Sequence, residues 1–502
     1  MLPATKVNEL VREQGARDHS VFTSKPGAIK HPRYVAEMKR GVFSCPTECI
    51  LDRTVPIKKL IVTDMKNTDV VVKPAKGIKG TLKLPGDKSI SHRYAMLAAI
   101  ADGTTKLQNF STGADCASTL ACIDALGATV VRSGSSVEIA GRGPILCAPS
   151  APLDCGNSGS TMRMMSGILS GQPFETELFG DDSLSRRPMR RVMEPLARMG
   201  ARVQTNDGRP PLRIQGAELN AIDYKMEVAS AQVKSAVLFA GLYADGSTSV
   251  TEPVRTRDHS EVALTAFGGE VGREVARNSD GSVSGYVSSI RGGQQLHAIE
   301  ATIPGDISTA AFFLCAAAIF PDSDLFFENL LLNPTRAALL DVMVALGLKV
   351  NVLQLEEHHG EPTGAVNVQS GALKGLRIDG ATSAALIDEL PVLAAIAPYT
   401  EKGIDIRDAR ELRVKESDRI ASVAANLRAM GATVEEFEDG LRVPGGQQLR
   451  GAKIDSFDDH RIAMAFSVSA LRANGETVIR GADAARISFP EFFQTLEGII
   501  ER

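Results

Sequence analysis

The chain has 502 residues, a formal net charge of −4 at pH 7, 23% charged and 43% hydrophobic residues. That is enough to bury two sizeable cores in an ordinary globular protein. No basic block or aromatic-interleaved stripe occurs, Trp is absent and Tyr is scarce, so a nucleic-acid partner is not expected. The longest apolar run, Ala310 to Phe320, is too short to span a bilayer and reads as a buried helix; no membrane partner is expected.

Residues 1–70 form an extension of unknown role, with Pro3, Pro26, Pro32, Pro46 and Pro56, mixed charges and weak periodicity. It lacks the apolar core of a signal peptide, and Glu9, Glu13, Asp18 and Glu37 count against a transit peptide. The cysteines are odd in number and scattered, which fits reduced thiols and a cytoplasmic protein. Cys45 and Cys49 have the spacing of half a metal site, but no second pair completes it. His358-His359 reads as part of a solvated polar loop. No metal and no cofactor are expected.

Residues 81–101 read as strand, tight turn and helix. Pro85-Gly86-Asp87-Lys88-Ser89 supplies the turn, and Lys88 and Ser89 fall at the helix start. Unpaired N–H groups and the positive dipole end favour an anion there. Arg93 lies one helical turn on, on the face of Ser89. The string is not a nucleotide P-loop, because Asp87 separates Gly86 from Lys88.

Further helix starts follow. Gly156-Asn157-Ser158-Gly159-Ser160-Thr161-Met162-Arg163, Ala229-Ser230-Ala231-Gln232-Val233-Lys234, Gly305-Asp306-Ile307-Ser308-Thr309, Lys415-Glu416-Ser417-Asp418-Arg419 and Asp458-Asp459-His460-Arg461 each carry a capping residue, and several add a cation. If these starts share one cleft, it is electropositive, suited to small anions, and expected to open by charge repulsion when empty. Ser185-Arg186-Arg187-Pro188 places two guanidiniums before a proline that begins a new helix. Leu412 to Arg419 reads as the end of a strand and the start of a helix, with Lys415 and Arg419 one turn apart. Ile387-Asp388-Glu389-Leu390-Pro391 sets carboxylates in an apolar helical stretch.

An ending also repeats. Leu126-Gly127, Met199-Gly200, Phe267-Gly268, Leu346-Gly347 and Met430-Gly431 each precede a strand-like segment, with a degenerate copy at Leu496-Glu497-Gly498. Glycine after an apolar helix end is a helix stop with positive φ, so six βα modules in two halves are expected.

In this order the motifs Pro85 to Ser89, Gly156 to Gly159, Arg187-Pro188, Ala229 to Lys234, Arg413 to Arg419 and Asp459 to Arg461 resemble the enolpyruvyl transferase family. The match is to the branch that acts on shikimate 3-phosphate, from about Val71 to Glu501. Ser230-Ala231-Gln232 and Thr256-Arg257-Asp258-His259 are similar to its bacterial second class. The resemblance implies an α/β (α+β) fold, a two-lobed inside-out α/β barrel of three βαβαββ repeats per lobe with the active site in the interlobe cleft. One lobe would be 87–304, with Lys88, Gly159, Arg187 and Ser230. The other would be 71–86 plus 305–502, with Asp388, Lys415, Glu416, Arg419 and Arg461.

The implied reaction transfers the enolpyruvyl group of phosphoenolpyruvate to the 5-hydroxyl of shikimate 3-phosphate and releases phosphate by addition–elimination, a step of aromatic amino acid biosynthesis. By resemblance, Lys88, Gly159, Arg187, Gln232, Arg419 and Arg461 hold phosphoenolpyruvate. Lys88, Ser89, Arg93, Ser230, Ala231, Gln232, Arg257, Asp388 and Lys415 hold shikimate 3-phosphate. Asp388, Glu416 and Lys88 are the implied catalytic groups, Asp388 at the reacting hydroxyl and Glu416 as proton donor to C3. A monomer is expected.

One departure is Ile487, where some members carry a lysine. Gly159 is read locally as a turn residue with positive φ; the resemblance places it beside phosphoenolpyruvate and implies sensitivity to glyphosate, a slightly longer ligand. The rival branch acting on UDP-N-acetylglucosamine uses a loop cysteine, whereas Cys116 and Cys122 read as helical here. A non-catalytic anion-binding homologue would not need Asp388 and Glu416 among arginines.

Overall fold

The computed structural model describes residues 69–502 and the backbone of a two-residue strand, Leu2–Pro3, which pairs with Lys349–His358. Cys45, Cys49 and nearly all of the N-terminal extension lie outside the described residues.

The repeated glycines stop helices as expected. Gly127, Gly200, Gly268, Gly347 and Gly431 have φ of 94°, 111°, 88°, 116° and 91°, a region that favours glycine because it has no Cβ. The sixth copy differs: Gly498 has φ −67°, and the helix Phe492–Glu497 passes into Ile500–Glu501 without a left-handed residue.

Each joint belongs to a small mixed sheet. In three of them the strand order is first, second, fourth, third. The strands Asp223–Lys225, Ser247–Glu252, Val271–Arg277 and Val283–Arg291 show the pattern: a helical crossover makes the first pair parallel, and a closing hairpin makes the others antiparallel. The sheets starting at Leu153–Asp154 and Leu376–Ile378 repeat it.

Two sheets take their first strand from a distant part of the chain. Glu300–Thr302 pairs parallel with Thr104–Gln108, and Gly77–Lys83 pairs parallel with Asp324–Leu331. The chain therefore leaves one sheet after residue 83 and returns near residue 303. The two connecting segments, Pro85-Gly86-Asp87 and Pro304-Gly305-Asp306, lie side by side. Asp87 N donates to Pro304 O at 2.8 Å, and Asp306 N to Pro85 O at 3.0 Å. A Cβ on Gly86 would lie 1.8 Å from Asn109 O, so no side chain fits at that crossing.

The helices behind these sheets are buried nearly all round. Every residue of Ile307–Ile319 and of His460–Ala470 is buried, as is Lys88–Ile100 from Ile90 onward. Phe312 and Phe313 pack edge-on or tilted against Phe489 and Phe492 at 5.8–6.3 Å between centroids, each contact adding about 0.5–1.5 kcal/mol beyond burial. They anchor the C-terminal helix. Among the described residues no helix is long and apolar enough to cross a membrane.

Five local expectations need correction. Leu412 to Val414 is not a strand end: Arg410–Val414 is a 3₁₀ helix. Arg413 holds it there by donating to Glu438 O at 2.8 Å, Phe437 O at 2.6 Å and Asp418 at 2.8 Å. The next helix starts at Arg419, so Lys415 lies ahead of it rather than one turn back on it. The helix after Pro188 starts at Arg190. Asp388 sits in a turn between helices Gly380–Ala385 and Leu390–Ile396, not within a helix. His358 ends a strand, where it meets Glu356 at 3.0 Å.

Candidate active site

Capping side chains set the helix starts. Asp87 accepts from Ile90 N at 2.9 Å, Ser158 from Thr161 N at 3.0 Å, Ser230 from Val233 N at 3.4 Å, Asp418 from Ala421 N at 3.0 Å and Asp459 from Arg461 N at 2.9 Å. Each cap satisfies an N–H that the helix leaves open. Four of the starts carry Lys88, Gln232, Arg419 or Arg461 in or next to the first turn.

Two carboxylates bind these cations together. Asp388 accepts from Arg257 at 2.7 Å and lies 3.8 Å from Lys415 Nζ and 3.5 Å from Arg419. Arg461 donates to the Asp388 backbone carbonyl at 2.8 Å. Glu416 lies 2.7 Å from Arg419 and 3.4 Å from Arg187. Asp459 completes the set, 2.8 Å from Arg419 Nε. The expected repulsion across the cleft is thus not what the charges do. Arg257 and Arg187, from segment 87–304, each face a carboxylate from segment 305–502.

Burial raises the Asp388 carboxyl, but Lys415, Arg257, Arg461 and Arg419 outweigh it and hold it well below the usual carboxylate range. Burial acts the same way on Glu416, where Arg419 and Arg187 prevail. Lys88 is lowered by burial but raised more by Asp115, 2.9 Å away, and by Glu416, so it stays cationic. Burial and Lys88 push His460 well below its ordinary value, leaving it neutral at pH 7.

A second group lies on the helix Ala231–Gly241 and its neighbours. Gln232 donates to Ser160 at 2.8 Å and accepts from Arg163 at 2.9 Å. Gly159 is helical, not a positive-φ turn residue; that role falls to Gly156, with φ 54°. A Cβ on Gly159 would lie 2.8 Å from Arg163 and 3.4 Å from Arg187 guanidinium nitrogens. Arg93 is buried, with its guanidinium donating to Ser89 O at 2.8 Å, Ser260 at 2.6 Å and Ser235 at 2.9 Å. Burial lowers it to about 10.

Several groups escaped the sequence reading. Asp115 lies 27 residues from its partner Lys88, and nothing in the local sequence joins them. Arg163 and Asp459 lie inside the helix-start motifs, where the local sequence gives them no more than a place in a helix start. Asn157, which holds Arg187 through Oδ1 at 2.6 Å, belongs with them. Among the described residues no cluster of His, Cys, Asp and Glu could hold a metal ion. Cys116 is helical and buried, its thiol pushed up to about 12, unlike a reactive loop cysteine.

The arrangement is a pair of ionised carboxylates inside a ring of cations, a site for anions that also need a proton moved. A sequence profile of EPSP synthase (3-phosphoshikimate 1-carboxyvinyltransferase) matches residues 72–496. The 3-phosphoshikimate 1-carboxyvinyltransferase of Koribacter versatilis is 60% identical over 434 residues, 86% of this chain and 99% of the relative. That of Solibacter usitatus is 52% identical over 435 residues, 86% of this chain and all of the relative. The solved EPSP synthase of Acinetobacter baumannii superimposes with a TM-score of 0.76 at 38% identity, covering 87% of this chain and 98% of that one. With this mixed α/β fold and this extent of identity, the chain belongs to the EPSP synthase family.

Proposed function

We propose that the chain transfers the enolpyruvyl group of phosphoenolpyruvate to the 5-hydroxyl of shikimate 3-phosphate and releases phosphate, as a step of the shikimate pathway. The observation that carries this reading is the placement of Asp388 and Glu416, each gripped by cations from both segments of the chain. Anion binding alone needs no carboxylates there; addition–elimination needs two groups that move protons.

The strand exchange at Gly77–Lys83 and Glu300–Thr302 supports two lobes, 87–304 and 71–86 plus 305–502, arranged as an inside-out barrel with the cleft between them. Phosphoenolpyruvate binds among Lys88, Gly159, Arg187, Gln232, Arg419 and Arg461. Shikimate 3-phosphate binds at Lys88, Ser89, Arg93, Ser230, Ala231, Gln232, Arg257, Asp388 and Lys415. Arg93 acts partly by shaping this pocket, since three of its N–H groups already serve Ser89, Ser235 and Ser260.

The two substrates bring several negative charges. Their phosphates and carboxylates take over the guanidiniums that hold Glu416 and Asp388, and the carboxyl pKa values rise as those partners are shared. Glu416, protonated from solvent once its pKa has risen, gives that proton to C3 while Asp388 receives the proton of the 5-hydroxyl as its oxygen adds to C2. As phosphate leaves, Glu416 takes a proton back from C3 and Asp388 passes the hydroxyl proton to the departing phosphate, so both carboxylates return to their starting states. Lys88 stays positive beside the charge that develops. The protein works as a cytoplasmic monomer without a cofactor. Ile487 ends a 3₁₀ helix, Ala482–Ile487, and supplies no cation where some relatives have lysine.

Purified protein is expected to release phosphate only when both substrates are present, and to keep doing so in a chelator. No release with both substrates, or release restored only by a divalent ion, would overturn the reading.

A further inference from the structure

Where the two Pro-Gly-Asp segments cross lies a buried polar network whose members are not among the proposed substrate contacts. Its centre is Arg336, 4% exposed. One guanidinium nitrogen donates to Asp87 at 3.1 Å and faces His259 Nε2 at 3.3 Å. The other donates to Ser308 at 2.6 Å and lies 3.5 Å from Asp306. Arginine only donates, so His259 Nε2 accepts and its Nδ1 carries the proton that Glu361 receives at 2.6 Å. Asn333, three residues before Arg336, donates to both Glu361 and Asp258, at 2.8 and 2.9 Å. Ser308 donates to Glu389.

The network members stand beside the site residues in the chain. Asp87 precedes Lys88, Asp258 follows Arg257, and Glu389 follows Asp388. Those three site residues come from both sides of the crossing, and each is one peptide bond from a side chain held by Arg336, its hydroxyl relay Ser308 or its neighbour Asn333. Asp87 is also the cap of the Lys88 helix, and Arg336 grips the carboxylate oxygen that the cap does not use.

We propose that Arg336 is a positioning residue for the reaction: it fixes the spacing of Lys88, Arg257 and Asp388 across the crossing, so that one substrate can meet all three. The inference rests on the reading of those three as substrate-binding groups. A planar guanidinium has the several donors in fixed directions that this requires, and an ammonium does not.

The test is calorimetric titration of shikimate 3-phosphate into wild-type, Arg336→Gln, Arg336→Lys and Arg257→Ala proteins and the Arg336→Gln/Arg257→Ala double variant, with circular dichroism melts alongside. Arg336→Gln is expected to stay folded and weaken binding roughly tenfold or more, with Arg336→Lys recovering part of the loss. The double variant should bind no more than a few-fold worse than the poorer single variant, because residues that act through one another are not additive. Folded Arg336→Gln with wild-type affinity, or losses that simply multiply, would overturn the proposal. If Arg336→Gln does not fold, Asn333→Ala takes its place in the same cycle with the same criteria. A wild-type protein that does not bind shikimate 3-phosphate at all would instead sink the functional reading. Normal binding without turnover would sink the reaction while leaving positioning to be judged from the dissociation constants.

Discussion

The candidate site, half-buried, and the neighbouring crossing of the two Pro-Gly-Asp segments, buried, are both charged, yet they are built in opposite senses. In the site six cations (Lys88, Arg187, Arg257, Lys415, Arg419 and Arg461) meet four carboxylates (Asp115, Asp388, Glu416 and Asp459). Buried polar atoms there lack hydrogen-bond partners within the protein, among them Arg187 Nε, Arg419 Nη1, Asp115 Oδ1 and both ring nitrogens of His460. At the crossing, carboxylates outnumber Arg336, and no side-chain atom of Asp87, Asp306, His259, Glu361, Asn333 or Arg336 is buried without a partner. Unmet buried donors are costly, at about 1–3 kcal/mol each. A protein keeps them where a ligand will use them and eliminates them where it needs one fixed geometry.

The largest effect that could break this contrast is expected from Glu416→Gln. The variant keeps the shape but cannot take up or give the proton, so kcat should fall by about 10² to 10⁴-fold. Shikimate 3-phosphate affinity should change far less. Steady-state kinetics with calorimetry separate the two; equal losses in both would make Glu416 a binding group only.

Gly159→Ala probes the same cations by size rather than charge. The new methyl meets the guanidiniums of Arg163 and Arg187, which are flexible ends and can give way. The chain is expected to be glyphosate-sensitive, and the variant to raise the glyphosate inhibition constant roughly tenfold more than the phosphoenolpyruvate KM, about 1.4 kcal/mol of discrimination. A wild-type enzyme resistant to millimolar-range glyphosate, or equal loss of both ligands, would show that Gly159 does not set the pocket length.

A smaller, pH-dependent effect is expected from Asp388→Asn. Cations hold the Asp388 carboxyl well below its ordinary value, so its ionised form stabilises the folded protein above the unfolded-state pKa of about 4. That contribution is lost as pH falls through the depressed value. Wild type should melt above the variant at pH 7, by a margin on the order of a few °C, and the gap should close in acid. A gap that widens in acid would reverse the assigned sign. The least effect should come from removing residues 1–68, because the family profile begins only at residue 72; turnover should stay within about twofold. A folded but inactive truncated protein would place part of the site in the extension.

Much of the scaffold is legible from the chain alone. Helix stops at Gly127, Gly200, Gly268, Gly347 and Gly431 depend on one residue type in one backbone region, and caps such as Asp87, Ser158 and Asp459 act within three residues of themselves. Local rules reach that far. They do not reach Asp115, whose meeting with Lys88 depends on how two helices pack, or Arg336, whose partners lie up to 249 residues away. Gly159 departs from the turn expected of it because its neighbour Ser158 caps the helix that it starts, a signal local rules do contain, whereas the stretch from Leu412 to Lys415 is decided elsewhere, by Arg413 pinning the 3₁₀ turn to a neighbouring hairpin. The opposed charges of Arg257–Asp388 and Arg187–Glu416 are equally hidden, since each pair joins segments more than a hundred residues apart in the chain.

The most direct measurement of the central claim, that Glu416 and Asp388 move protons in an addition–elimination, is the reaction run in deuterium oxide and followed by nuclear magnetic resonance. If Glu416 delivers a solvent-derived proton to C3 and removes one as phosphate leaves, deuterium should appear in the methylene group of the enol ether product. Glu416→Gln should slow that incorporation in step with turnover. Product formed at a normal rate with no deuterium at C3, or incorporation unaffected in Glu416→Gln, would contradict it.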